Sequence, residues 1–197
     1  MSYLATERTV AASTQNQAPA RRNMTFSDDD SQRAESFRQR PVHCAVITVG
    51  ETLTEETDRS GSLARKRLRK AGCEIAFYKI VPDDPDIIDR GLDELAGKVD
   101  AALFLGGTQR DAHAYDVIAG ALEDELPGFG ELFRRQSYEE YGPRAMLARA
   151  TAGTTDGTLF FSIPGALGEM RRVLDELILP DLEKLVWETV RRNRNIP

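Results

Sequence analysis

The sequence predicts a doubly wound α/β domain, in which a mostly parallel sheet is covered by helices on both faces. Short apolar runs recur along the chain, and each of them ends at glycine or proline, as buried strands do. The segments between these runs are long enough for helices and carry apolar residues at helical spacing. The resulting order of strand, helix, strand, helix, strand favours parallel pairing with crossover helices.

Composition limits the functions that the chain can have. Its 197 residues are 41% hydrophobic and 29% charged, which is typical of one globular domain with a tail. No apolar run reaches about 18 residues and no apolar signal segment follows Met1, so we expect a cytoplasmic protein with no membrane partner. The net charge of −6 disfavours nucleic acid as a partner. Cys44 and Cys73 each lie in or beside a strand-like run, which predicts buried thiols rather than a disulfide or a metal pair.

Residues 1–40 differ from the rest of the chain because they are polar and have little aliphatic periodicity. Such a segment buries too little apolar surface to offset the loss of chain entropy, so we predict a flexible N-terminal arm. The alternative is an arm that clasps a second subunit, with Phe26 and Phe37 as its anchors. The folded domain is predicted to occupy residues 41–197.

The first half of the domain alternates strands and helices. We expect, in order, a strand at Val42–Val49, a helix that ends near Ala71, a strand at Glu74–Val81, a helix that begins near Pro85, and a strand at Ala101–Leu105. Gly72 ends the first helix, and Ile88, Leu92 and Leu95 give the second helix its buried face. The second half is predicted to contain a helix from Asp116 to about Leu126, a turn at Pro127–Gly130, a helix to Tyr141, a short helix at Pro143–Ala150, a strand at Leu159–Ile163 and two final helices.

The third strand ends abruptly at Gly106-Gly107-Thr108. In open α/β sheets ligands bind beyond the carboxyl ends of the strands, where glycines permit close approach and free N–H groups can meet an anion. The same two glycines would also suit a plain tight turn. We therefore interpret this loop as a candidate anion site, with the Thr108 hydroxyl as a further donor or as a cap of the strand end.

Several motifs, taken in order, resemble the MoaB/MogA family of molybdenum cofactor biosynthesis proteins, and the MoaB branch more closely. The resemblance covers roughly residues 42–192, and it rests on Ile47-Thr48-Val49, Asp58-Arg59-Ser60-Gly61, Val81-Pro82-Asp83-Asp84, Gly106-Gly107-Thr108, Pro127-Gly128-Phe129-Gly130-Glu131-Leu132-Phe133-Arg134, Ser137-Tyr138-Glu139-Glu140, Gly157-Thr158-Leu159 and Ile163-Pro164-Gly165.

This resemblance implies a three-layer αβα sandwich that assembles into a homo-oligomer, a trimer or a hexamer. It also implies molybdopterin as the ligand. Active members of the family adenylylate the terminal phosphate of molybdopterin with ATP and Mg²⁺.

The resemblance also implies roles for individual residues. Asp83 matches an acidic position of the family and is the candidate catalytic carboxylate and Mg²⁺ ligand, with helix capping as its alternative role. Either Asp111 or Asp116 would be the second catalytic carboxylate. Ligand contacts are expected from Gly106, Gly107, Thr108, Glu51, Asp58, Ser60, Ser162, Pro164 and Gly165. For Asp58 and Ser60, capping of the following helix is the alternative.

The ligand loops also depart from the family pattern. Gln109 stands where the family usually has a fourth glycine residue, and Ala166-Leu167 follows Pro164-Gly165 where a polar residue and a proline are usual. Glu51 replaces an aspartate, which keeps a carboxylate on a longer side chain. Two functions therefore remain open: a molybdopterin adenylyltransferase-like enzyme, and a non-catalytic relative that binds a pterin or nucleotide or serves only as an oligomeric binding protein.

Overall fold

The structure, a computed structural model, describes residues 40–191. The predicted N-terminal arm, apart from its last residue, lies outside the described residues. Within residues 40–191, none of the helices is both long enough and apolar enough to cross a membrane.

A mixed six-stranded sheet forms the centre of the described chain, in the order β2-β1-β3-β6-β5-β4. Its strands are β1 (His43–Val49), β2 (Glu74–Val81), β3 (Ala101–Leu105), β4 (Asp124–Glu125), β5 (Thr151–Thr155) and β6 (Thr158–Ile163). The first four strands in this order pair in parallel, whereas β5 and β4 continue the sheet antiparallel. The prediction of a mostly parallel sheet is confirmed.

Helices lie on both faces of the sheet. They are α1 (Arg59–Lys70), α2 (Pro85–Leu95), α3 (Ala114–Ala121), α4 (Pro127–Tyr141), α5 (Leu167–Val173) and α6 (Leu182–Val186). A 3₁₀ segment, Gly142–Leu147, follows α4, and α5 and α6 each continue into a wider π turn, at Leu174–Ile178 and Trp187–Arg191.

Two apolar cores separate the sheet from these helices. Alternate residues of β1 point to opposite sides, so that Cys44 and Val46 join one core and Ala45 and Ile47 join the other. The first core is closed by α1, α4, α5 and α6, and the second by α2 and α3. This arrangement is the three-layer αβα sandwich that the sequence predicts. Both cysteines are buried free thiols, as expected.

The sequence prediction is wrong between residues 122 and 130. The helix α3 ends at Ala121, because the following segment turns away to pair with β5 through hydrogen bonds from the N–H groups of Glu123 and Leu126. The predicted turn at Pro127–Gly130 is instead the first turn of α4, for which the fixed φ of proline is well suited. Phe129 in this turn packs edge-on against Phe161 of β6 at 5.3 Å between ring centroids.

One strand also differs from the prediction. The strand β5 was not expected from the sequence; it forms a hairpin with β6 through the two-residue turn Asp156-Gly157, in which both φ angles are positive. The first helix ends where it was predicted to end, since Ala71 forms the C-cap of α1.

A buried ion pair fastens the end of the described chain to the sheet. The Nη2 and Nε atoms of Arg191 lie 2.6 and 3.2 Å from the two carboxylate oxygens of Asp100, and Nη2 also donates to the Pro41 carbonyl. The N–H of His43 donates to the same carboxylate. Burial alone would raise the pKa of Asp100, but the hydrogen bonds from Arg191 and His43 outweigh burial and hold the pKa below its ordinary value.

Removing this carboxylate is expected to lower stability in a pH-dependent way. Asp100→Asn should reduce the free energy of unfolding by about 3 kcal/mol at neutral pH, because it leaves the buried Arg191 charge unpaired. The folded-state pKa of Asp100 is depressed, so its contribution is present above the unfolded-state value of about 4 and is lost as the pH falls through the folded-state value.

Urea titrations between neutral pH and pH 2 measure this effect. The difference between wild type and Asp100→Asn should shrink on acidification, whereas exposed Asp93→Asn serves as the control and should stay near wild type. A difference that does not change with pH would contradict the assignment.

Candidate functional site

A cleft of about 360 Å³ opens where β1, β3 and β6 end at the same edge of the sheet. Because these strands are parallel neighbours, the loops that follow them meet there. The N-terminal ends of α1 and α5 complete its walls. The lining residues are Thr48, Val49, Leu53, Thr57, Asp58, Arg59, Ser60, Leu105, Gly106, Gly107, Gln109, Gly165, Ala166 and Leu167.

The β3–α3 loop, residues 106–113, begins with two glycines that no other residue can replace without strain. Gly106 has φ +111°, and a Cβ there would lie 2.7 Å from the Val49 carbonyl oxygen. Gly107 has φ +63°, and a Cβ there would collide with the side chain of Ala114 at the start of α3. The expected close approach of backbone at these glycines is therefore present, with the end of β1 on one side and α3 on the other.

Hydrogen bonds fix the two ends of this loop and leave its centre open. The N–H of Gly106 donates to the Ile163 carbonyl at 2.9 Å, and the Gly107 carbonyl accepts from the N–H of Tyr115 at 3.0 Å. Among the residues that the structure describes, the N–H groups of Gly107 and Thr108 have no acceptor. Two adjacent free amides where a strand ends are a typical anion-binding arrangement.

Asp58 is a buried carboxylate that is used within the protein. It caps α1 by accepting from the N–H of Gly61 at 2.8 Å, and it also accepts from the hydroxyls of Thr48 at 2.6 Å and Tyr78 at 2.8 Å. Burial, together with this hydrogen bond to a carboxylate, raises the pKa of Tyr78 to about 12. The network joins β1, β2 and α1, and it thereby fixes the first turn of α1 beside the cleft.

That first turn contributes Ser60 and Arg59 to the cleft. The Ser60 hydroxyl donates to the Gly165 carbonyl at 2.8 Å, which connects α1 to the loop after β6. Arg59 is exposed and makes no ion pair within residues 40–191. Arg59 belongs to one of the motifs that carry the family resemblance, but no role was predicted for it from the sequence. An arginine on the cleft lining that makes no ion pair with the described residues can bind a phosphate or carboxylate group of a ligand.

Asp83 lies directly behind Gly107, outside the residues that line the cleft. Its carboxylate accepts from the N–H of His113 at 3.0 Å and from the N–H of Ala114 at 2.9 Å, so it caps α3. The helix that follows Asp83 in sequence has its own cap, because Asp84 accepts from the N–H of Ile87. Asp83 therefore has the capping role that was its alternative. The helix that it caps is α3, and not α2, which follows it in the sequence. A carboxylate is favourable there because the helix N-terminus is positive.

Glu51 lies next to Asp83, since Oε1 of Glu51 accepts from the Asp83 N–H at 3.2 Å. Within the described part of the chain, no three histidine, cysteine or acidic residues form a group that could hold a metal by themselves. Mg²⁺ does not need such a group, because it commonly takes one or two carboxylates and completes its shell with water and substrate phosphates. Asp83 and Glu51 are exposed enough to fit that requirement.

The two candidates for the second carboxylate have different environments. Asp111 is exposed and makes no ion pair within residues 40–191. Asp116, in the first turn of α3, forms an ion pair with Arg149 at 2.5 Å between Oδ1 and Nη2. Arg149 lies outside every motif that carries the family resemblance, so the sequence indicated no role for it.

The remaining predicted residues lie at or beneath the loop after β6. Gly165 lines the cleft, whereas Pro164 is buried below it. Ser162 is fully buried, and its hydroxyl has no hydrogen-bond partner among the described residues. Thr108, in the β3–α3 loop, is 9% exposed as a residue and is not among the residues that line the cleft. Gln109, the departure from the family pattern, lines the cleft without filling it.

Comparison with known proteins shows the family of this chain. The family described as "Probable molybdopterin binding domain" matches residues 45–184. The chain belongs to the MoaB/MogA family. Its relatives in the family include molybdenum cofactor biosynthesis protein B of Bacillus subtilis, which is 43% identical over 161 residues, 78% of this chain and 92% of the relative.

Solved structures of the family share the fold. A crystal structure of a molybdenum cofactor biosynthesis protein B has a TM-score of 0.71 at 38% identity and covers 76% of this chain and 96% of its own. The tungsten cofactor synthesizing protein MoaB from Pyrococcus furiosus has a TM-score of 0.67 at 32% identity and covers 76% and 97% of the two chains.

Proposed function

We propose that the cleft binds molybdopterin and that the protein acts in molybdenum cofactor biosynthesis. The observation that carries this proposal is the pair of free N–H groups at Gly107, which lines the cleft, and at Thr108, the next residue, with the Arg59 cation on the same lining. Backbone amides and a guanidinium are suited to the oxygens of a terminal phosphate.

The rest of the cleft suits the pterin part of that ligand. Leu53, on the loop after β1, and Leu167, the first residue of α5 after β6, are exposed large apolar side chains on the cleft lining. They follow the two strands that flank β3 in the sheet. Ligand sites commonly combine apolar walls with a few placed polar groups. A flat heterocycle between these leucines would have its phosphate directed to the amides.

Ligand binding by variants of the cleft tests this proposal. We expect anaerobic fluorescence titration with molybdopterin to give saturable binding to wild type. Gly107→Ala should abolish binding, because a Cβ there collides with Ala114 and strains the loop. Arg59→Gln should raise the Kd about tenfold, the equivalent of one charge-assisted hydrogen bond.

Two matched variants serve as controls. Gly120→Ala adds the same methyl group in α3 where nothing lies within 4 Å, and Arg90→Gln removes an exposed arginine on α2. Both should bind as wild type does. Equal affinities for Gly107→Ala and Gly120→Ala would refute the proposed site.

The finer proposal is that the protein adenylylates molybdopterin with ATP and Mg²⁺. In this reaction an oxygen of the molybdopterin phosphate attacks the α-phosphate of ATP, and pyrophosphate leaves. Mg²⁺ would offset the phosphate charge, and Asp83 with Glu51 would hold it. Two contacts support this proposal: the Glu51 carboxylate accepts from the Asp83 N–H, and the Asp83 carboxylate lies behind Gly107.

A non-catalytic binding protein is the second candidate, and specific contacts favour it. Both carboxylate oxygens of Asp83 already accept from amides of α3, and the carboxylate of Asp116 is engaged by Arg149. These contacts give both aspartates a structural role, which a protein that only binds molybdopterin would also need.

A turnover assay distinguishes the two candidates. For the enzyme, incubation with molybdopterin, ATP and Mg²⁺ should release pyrophosphate, and Asp83→Asn should slow the release about 100-fold because a charge-stabilising group is lost. Asp86→Asn, which removes an exposed carboxylate from the first turn of α2, is the control. Binding of molybdopterin without any pyrophosphate release would instead establish the non-catalytic candidate.

The proposed assembly is a homo-oligomer, a trimer or a hexamer. Its support is an exposed apolar surface on α4 and the 3₁₀ segment, where Leu132, Tyr138, Met146 and Leu147 are 52%, 59%, 79% and 61% exposed. A surface of this kind is typical of subunit contacts. Because ATP is the proposed substrate, the proposal also places the protein in the cytoplasm.

A further inference from the structure

We propose that Arg149 is the positioning residue of the β3–α3 loop and that it keeps the Gly107 and Thr108 amides directed at the ligand. This inference rests on the proposed function of the cleft. Arg149 is an arginine from a distant part of the sequence, between the 3₁₀ segment and β5, and it reaches the loop only in the folded protein.

One guanidinium makes three contacts with the loop and with the helix after it. Nη1 donates to the Gln109 carbonyl at 3.4 Å, and Nη2 lies 2.5 Å from Oδ1 of Asp116. Nη2 is buried without a well-aligned hydrogen bond among the described residues, so the contact with Asp116 is an ion pair. The guanidinium carbon lies 4.1 Å from the ring centroid of Tyr115, in a cation–π contact.

Arg149 is itself held firmly. Its side chain is only 19% exposed, and the next two residues, Ala150 and Thr151, are buried where the chain enters β5. The guanidinium stacks on the Tyr115 ring and forms an ion pair with Asp116, so it has little rotational freedom. It can therefore anchor the loop.

The loop needs such an anchor because its other anchors lie at its ends. Gly106 and Gly107 are tied to β6 and α3, and Asp83 holds the N–H groups of His113 and Ala114. Within the described residues, the bond from Arg149 to Gln109 is the one hydrogen bond from outside the loop to residues 108–111. Loss of Arg149 would leave this segment held by its own turn alone, with the Thr108 amide at its edge.

Charge gives Arg149 a second effect on the same site. Asp116 lies in the first turn of α3, next to Tyr115, whose N–H donates to the Gly107 carbonyl, and Arg149 forms an ion pair with it. Without Arg149, an unpaired carboxylate would repel the ligand. Arg149 acts through the loop and Asp116 rather than by touching the ligand.

Hydrogen exchange and molybdopterin binding, measured on the same variants, test this inference. In Arg149→Met, amide exchange in residues 107–112 should become faster and the Kd for anaerobically prepared molybdopterin should rise about tenfold. Arg149→Lys keeps the charge but loses the planar stack, so exchange should still be faster than in wild type. Added guanidinium ion at millimolar concentration should partly restore the affinity of Arg149→Met.

The controls separate positioning from general damage. Arg144→Met removes an exposed arginine from the adjacent 3₁₀ segment and should match wild type in both measurements. In the double variant Arg149→Met/Asp116→Asn, affinity should partly recover because the repulsion is gone, whereas exchange in residues 107–112 should stay fast because the anchor is still absent.

The outcomes are distinguishable. If wild type does not bind molybdopterin, the proposed function fails, and the exchange rates alone decide whether Arg149 anchors the loop. Wild-type exchange in residues 107–112 and wild-type affinity in Arg149→Met would overturn the positioning role. So would exchange that accelerates equally throughout the protein in both Arg149 variants, because that result would mean a global loss of stability.

Discussion

No side chain fits at the two positions where β3 leaves the sheet, and the candidate site depends on this steric constraint. A Cβ at Gly106 would meet the end of β1, and a Cβ at Gly107 would meet the start of α3. The two glycines let β1, β3 and α3 converge within van der Waals contact, and the N–H groups of Gly107 and Thr108 have no acceptor among the described residues. A strand that ended in any other residue pair would have to move apart from its neighbours, and the loop that carries these amides would move with it.

The carboxylates around this turn act mainly on the protein itself. Asp58 caps α1 and Asp83 caps α3, and each of them satisfies amides that a helix N-terminus leaves without partners. These caps fix the first turns of both helices, which carry Arg59, Ser60 and Ala114 to the loop. The Arg59 guanidinium and the Gly107 amide are then donors on the cleft lining, and this explains how an acidic protein can provide a site for an anion.

The strands that the sequence predicted well are those with strong local signals. β2 and β3 have the predicted bounds. β3 is a continuous apolar run that ends at Gly106, as a strand buried on both faces requires, whereas β2, at the edge of the sheet, alternates along its length and is closed by Pro82. The start of α2 is equally local, since Asp84 and Pro85 supply the cap and the first turn. The errors at residues 122–130 and the missed β5 arise from strand pairing between distant segments, which overrides local helix preference.

The site was predictable in position but not in its contacts. Parallel topology brings the ends of β1, β3 and β6 together, so the loop at Gly106 could be placed from the sequence. The partners of Asp83 lie 30 and 31 residues away, and the Arg149 contact with Gln109 spans 40 residues, so no spacing rule indicates either of them. The roles proposed for the individual ligand-binding residues stay predictions.

The most direct test of the central claim is the response of single backbone amides to molybdopterin. In ¹H–¹⁵N spectra of the protein, the largest shifts on addition of anaerobically prepared molybdopterin should belong to the Gly107 and Thr108 amides, with smaller shifts at the start of α1. Unchanged Gly107 and Thr108 amides, with the largest shifts elsewhere on the protein, would contradict a ligand site at this loop.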